Sequence, residues 1–458
     1  MRQIYFLIYL LFSINAFGQT SNTLSSTEKV YGLSKFWQEV NYNFIYLSKV
    51  DRKKWDSTYV ALIEKVQQTK DDYEYYRLLK RFCAMLKDGH TNIDFPSQVQ
   101  SKLMKTTFGE YRIFVENIQH KAIVTQVNPS KEKVIPPGSE ILEVNGQSTR
   151  EYIKQFVAPY ISSSTGHVLE DMATQDMLQG LEGESYLLKI KRPNGEIVEL
   201  TVTHSRSSEI DLYPGLSKPT SLLEFKWMEN KIAYVALNSF QDQAIDSMFE
   251  AHLPELYKAE GLIIDLRRNG GGNGQYGLDI LKHLIPGKKV LGAKSQTRNH
   301  IATYKAWGEM VNPQDTASNA EYKKAYLNYI DKYYFDFPNS SKSTKTHHKK
   351  IIVPTIVVVG HHTASAAEDF LIYANGQRHF TTLGAPTFGS TGQPFYFMLP
   401  GGAQARVCTK RDTYPNGKEF VGVGIIPDLI VERTISDFLN GIDPELEKAA
   451  QVLRGKIK

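Results

Sequence analysis

Cysteine is nearly absent from this chain: Cys83 and Cys408 are the only two. Two thiols without metal-ligand spacing argue against a zinc site. Their apolar surroundings point to buried free thiols, although an oxidising compartment would permit them to pair. Charge of one sign is scarce as well, with 54 Lys and Arg against 49 Asp and Glu. So weak a surplus, with no stripe of arginine interleaved with aromatics, is no nucleic-acid footprint. The run His347-His348-Lys349-Lys350 reads as a solvated loop edge. No apolar run approaches the roughly twenty residues of a membrane-spanning helix. No Gly-Lys-Ser/Thr ending follows the glycines at 270–272, which argues against a phosphate cradle. Neither a metal nor an organic cofactor is implied.

What is present begins with a targeting signal. Arg2 precedes an apolar run from Ile4 to Phe12, and small residues Ala16 and Gly18 follow. This is the layout of a secretory leader over residues 1–18, cleaved near Gly18-Gln19, so export to the periplasm or beyond is expected. The remaining length suits two to four domains.

Residues 24–88 carry apolar positions at helical spacing, as in Val30, Leu33, Trp37 and Val40, and again in Tyr59, Leu62, Ile63 and Val66. A helical N-terminal domain is expected over 19–100. From 107 to 206 the period changes to that of strands. PPGSEILEVNG at 136–146 is a turn, a short strand and an Asn-Gly turn, and residues 186–202 read as a hairpin, with a helical insertion near 150–182. Residues 231–237, 261–267 and 355–359 are near-continuously apolar, as expected of strands buried on both faces of a parallel sheet. The excursion over 286–350, rich in Tyr and Lys, is expected to form helices that roof the site.

The segment 355–368 is the most informative. An apolar strand runs through small residues into a helix, with Ser365 at the turn. Such a turn lifts a hydroxyl to the sheet end and aims helix-start N–H groups at the space beside it. His361 and His362 precede it; neighbours on a strand face opposite ways, so at most one points into the site.

Four segments occur in order: LIIDLRRNGGG (262–272), TASAAEDF (363–370), TLGAPTFGSTG (382–392) and GVGIIPDLIV (422–431). With LKDGHT at 86–91, their order and spacing resemble the C-terminal processing and tricorn-core serine peptidases, in the tricorn-like branch, over roughly residues 28–435. PPGSEILEVNG with its hairpin resembles a PDZ domain of the bacterial protease type. The resemblance implies an α/β protein: a PDZ-like β-domain over 101–206, a ClpP/crotonase-like peptidase core over 207–440 and a C-terminal helix over 441–458. It implies hydrolysis of peptide or protein substrates, with Ser365 as nucleophile and an oxyanion hole from the amides of Gly270 or Gly271 and of Ala366. Fixed donors of that kind contribute about 3 kcal/mol each to transition-state stabilisation.

One branch of the family takes its base from a lysine in TFGKG; here Ser390 stands in that place. A hydroxyl is no general base near neutral pH, so the proton must go elsewhere. His90, in the DGH element of the other branch, fits as base. The glutamate that orients this histidine in tricorn-like enzymes aligns with Val421. Glu419, two positions away on the same expected strand face, is the favoured orienter, with Asp88 and Glu368 as alternatives. Without one, the chain reduces to a dyad enzyme or to a catalytically impaired protein that binds peptides through its PDZ-like domain.

Overall fold

The computed structural model describes residues 23–215, 221–339 and 341–457. The expected leader lies outside them. The fold is mixed α/β.

Its centre is a six-stranded sheet in the order Leu223–Trp227, Ile232–Leu237, Gly261–Asp265, Thr355–Val359, Phe380–Gly384, Leu429–Ile430. The first pair is antiparallel and the others parallel. Every residue of the three middle strands is buried, which explains their unbroken apolar runs: both faces are covered and no polar alternation is needed. One face packs on helices that include Ala366–Ala374, the other on the C-terminal helix Pro444–Lys456. Arg267 fixes that helix to the sheet end. Its guanidinium donates to Asp265 (2.7 Å) and to Asp443 (2.9 Å).

Three helices, Ser26–Asn43, Arg52–Gln67 and Asp72–Ala84, open the described chain. Ser25 and Glu28 cap the first reciprocally. Phe36, Trp55 and Phe82 fill their core, with Trp55 stacked on Phe82 at 3.8 Å between ring centroids. The same core takes in Phe397, Ala405 and Val407 from the paired strands Pro394–Met398 and Gln404–Cys408. The N-terminal helices therefore sit on a hairpin from the far end of the chain.

Residues 103–205 supply a separate antiparallel sheet with its own core of Ile113, Val124, Ile141, Val144, Leu188 and Ile190. The helix Gly166–Asp176 lies against its strand Tyr111–Ile118. The excursion does contain helices, Ala302–Gly308 and Ala320–Tyr329, but they do not roof the sheet end. Arg298 and His300 tie this region to the backbone of Asn41 and Tyr42. Both cysteines are buried free thiols. Among the described residues no helix is long and apolar enough to cross a membrane.

Removing the Trp55 ring would leave a cavity that its aromatic neighbours cannot refill. Trp55→Ala is expected to cost about 3–5 kcal/mol, read as a lowered urea midpoint.

Candidate active site

Ser365 sits where the Thr355–Val359 strand has turned into the Ala366–Ala374 helix. Its backbone has φ 55° and ψ −119°, a conformation that costs a non-glycine residue about 1–3 kcal/mol. Neighbouring loops hold it there. Thr363 Oγ1 donates to Leu266 O at 2.8 Å, and Ala364 N donates to Asn269 O at 3.0 Å.

Asn269 also shapes the glycine loop. Fully buried, it donates from Nδ2 to Leu237 O (2.9 Å) and accepts Gly271 N–H at Oδ1 (3.0 Å). Gly271 adopts φ 100°, and a Cβ there would lie 2.7 Å from the Ser365 Cβ. Glycine is required by both conformation and contact. Of the two expected glycine donors, Gly271 is thus already engaged. The amides of Gly270 and Ala366 make no hydrogen bond among the described residues. The Ala366 amide also opens a helix, where the aligned peptide dipoles favour negative charge.

His90 arrives from the other end of the sequence. Pairing of Asn92 with Arg406 and of Ile93 with Ala405 clips its loop to the Gln404–Cys408 strand. Cys408 N donates to Thr91 Oγ1 (3.0 Å), and Thr91 Oγ1 donates to Asp88 Oδ2 (2.6 Å). His90 Nε2 then lies 3.3 Å from Ser365 Oγ. Its Nδ1 lies 2.6 Å from Ser390 Oγ. Burial, followed by the positive charge of Arg406, pushes the imidazole down to about 4. Lys410 and Asp412 act on it in opposite directions. At neutral pH the ring is uncharged.

The carboxylates fall elsewhere. Residues 419–424 form no strand, with a turn at 421–423, so the face argument for Glu419 does not apply. Its carboxylate pairs with Arg411 and, at 3.3 Å, with Lys49, and is not brought to His90. Asp88 braces its own loop through Thr91. Glu368 is fully buried and accepts four hydrogen bonds: Thr387 Oγ1 (2.5 Å), Gly389 N (2.8 Å), Ser390 N (3.1 Å) and Ser365 N (3.2 Å). Burial still pushes its carboxyl up to about 8. His361 turns away, 2.5 Å from Asp171, whereas His362 lines the pocket before Ser365. Sequence reasoning did not identify Ser390 as the partner of His90, nor the shaping role of Asn269. The lysine-replacing position was the available signal for the first; a polar residue buried at the end of an apolar strand was the signal for the second. Among the described residues no group of three or more His, Cys, Asp or Glu is arranged to hold a metal.

Removing the Glu368 carboxyl would orphan the buried amides of Gly389 and Ser390 and the Thr387 hydroxyl at once, while Ser365 N keeps its bond to Ser390 O. Glu368→Ala is expected to cost about 3 kcal/mol or more, measured by chemical denaturation; a loss below about 1 kcal/mol would contradict the bracing described.

Residues 231–431 match the family model described as Peptidase family S41. A carboxyl-terminal-processing protease of Synechocystis sp. is 23% identical over 453 residues, covering 96% of this chain and 90% of that protein. The carboxy-terminal processing protease CtpB of Bacillus subtilis is 24% identical over 314 residues, 67% of this chain; the match spans 51% of CtpB. Mature CPAF complexed with lactacystin shares the fold, with a TM-score of 0.67 at 14% identity over 93% of this chain and 97% of that one. The 231–431 segment thus matches peptidase family S41, and the chain is a serine-type peptidase similar to the carboxyl-terminal processing proteases.

Proposed function

We propose that the protein is an exported endopeptidase that cleaves polypeptides through an acyl-enzyme on Ser365, with His90 as general base. The observation that carries this reading is the contact of His90 Nε2 with Ser365 Oγ at 3.3 Å, beside two unengaged amides. A neutral imidazole with its proton on Nδ1 donates to Ser390 Oγ and leaves the Nε2 lone pair facing the serine. His90 takes the Ser365 proton as Oγ attacks the substrate carbonyl. The amides of Gly270 and Ala366 receive the oxyanion. His90 returns the proton to the leaving amine, and water, deprotonated by the same ring, releases the acyl group and frees Ser365.

Ser390 replaces a carboxylate as the orienting residue in this reading. A hydroxyl fixes the tautomer but does little to stabilise the imidazolium that forms, so the base is weaker than in a triad. The separately cored sheet over 101–206 is read as a PDZ-like domain that captures polypeptide, and 207–440 as a ClpP/crotonase-like core. Export rests on the leader pattern over 1–18. A peptide-binding protein with an idle core is disfavoured, because nucleophile, base and donors converge.

A fluorophosphonate probe should label the wild type and fail on Ser365→Ala; a folded wild type that resists the probe would sink the acyl-enzyme. His90→Ala should lower peptide turnover by about a thousandfold or more. Ser390→Ala should lower it about fivefold, the worth of a neutral hydrogen bond of about 1 kcal/mol. The base works deprotonated and its folded pKa lies below the ordinary value of about 6.5. Turnover should therefore hold from neutral pH to about 5 and fall only as the ring protonates near 4. An acid limb centred near 6.5 would contradict the buried, neutral base.

A further inference from the structure

The cavity before Ser365 and His90 measures about 480 Å³. Its wall holds two guanidinium groups, Arg268 and Arg406, together with His362, and no carboxylate. Arg406 is the better fixed of the two. Its strand position is pinned opposite Asn92, and its side chain reaches the loop that carries His90. Among the described residues its one hydrogen bond runs from Nη2 to Gly89 O, at 3.4 Å. Its Nε is buried with no partner. A planar fork of donors left this open is matched by a carboxylate, which accepts two parallel hydrogen bonds. A buried unpaired donor is otherwise a net cost.

Gly89, Phe388 and Arg406 line this cavity and also a second one of about 980 Å³. The second runs between the Asp72–Ala84 helix and the sheet of residues 103–205, past Tyr73, Phe95, Tyr152 and Phe156. Arg406 thus stands at the neck through which an extended chain would pass to reach Ser365.

We propose that Arg406, assisted by Arg268, selects a substrate carboxylate seated beside the scissile bond. The inference rests on the peptidase reading of this site and names the substrate chemistry it favours. The carboxylate is either an Asp or Glu side chain or the free carboxyl end of the substrate chain; both present the same two oxygens to the fork. Bound there, it pairs with the guanidinium and adds a negative charge beside His90, whose imidazole is held down first by burial and then by Arg406.

The test uses matched fluorescent peptides that differ only in Asp or Glu against Asn or Gln, or in a free against an amidated C-terminus. Turnover is measured with the wild type, and binding with Ser365→Ala. Each is repeated with Arg406→Gln and with Arg406→Lys, which keeps the charge but loses the fork. The expected result is a preference on the order of 10- to 100-fold for one carboxylate form. Arg406→Gln should abolish it with a distinctly smaller loss on neutral peptides, and Arg406→Lys should be intermediate. Which peptide pair shows the preference identifies the source of the carboxylate. Equal handling of charged and neutral peptides by the wild type, or an equal loss on all peptides in Arg406→Gln, overturns the proposal. Carboxylate-selective binding without turnover in the wild type would instead overturn the peptidase reading and leave the selection standing.

Discussion

One buried carboxyl group holds together the sheet end that carries Ser365. Among the described residues Glu368 has no ion-pair partner; it accepts Thr387 Oγ1 and the amides of Ser365, Gly389 and Ser390. Those four donors belong to two segments that would otherwise be independent: the turn bearing the Ser365 hydroxyl, and the loop bearing the Ser390 hydroxyl on which His90 rests. The brace is intrahelical in origin, since Glu368 sits one turn into the helix that Ser365 begins. A single side chain therefore sets the spacing between the hydroxyls on either side of the imidazole.

The third participant is held by a longer route. His90 belongs to a loop that follows the N-terminal helices, while Ser365 belongs to the central sheet. The two meet because the Gln404–Cys408 strand serves both structures. It pairs with Asn92 and Ile93, and its inward residues Ala405 and Val407 complete the helical core. Loss of packing among Phe36, Trp55 and Phe82 would thus be transmitted to His90 through a hairpin rather than through the sheet.

Much of this was legible in the sequence, and the reasons are physical. Thr355–Val359 is apolar at every position because both its faces are buried, so its identity and its end were readable, and with them the Ser365 turn. The glycine loop was readable because Gly271 lies too close to Ser365 for any side chain. The choice between Gly270 and Gly271 was not, since it depends on the Asn269 side chain claiming one amide. Two-residue alternation favours Glu419 only in a strand, and residues 419–424 form none. Ser390 stands out in the sequence only as the residue in a lysine's place. Its contact with His90 is a relation across 300 residues, and no local pattern encodes that.

The backbone of Ser365 has one further consequence. At φ 55° and ψ −119°, glycine would sit more comfortably than serine, yet glycine has no hydroxyl. The fold thus stores conformational energy at the one position where, on the proposed chemistry, it cannot be released without silencing the enzyme. Stability and reactivity are opposed at that residue, and any drift toward a more relaxed turn is also a drift toward an inert, better-folded protein.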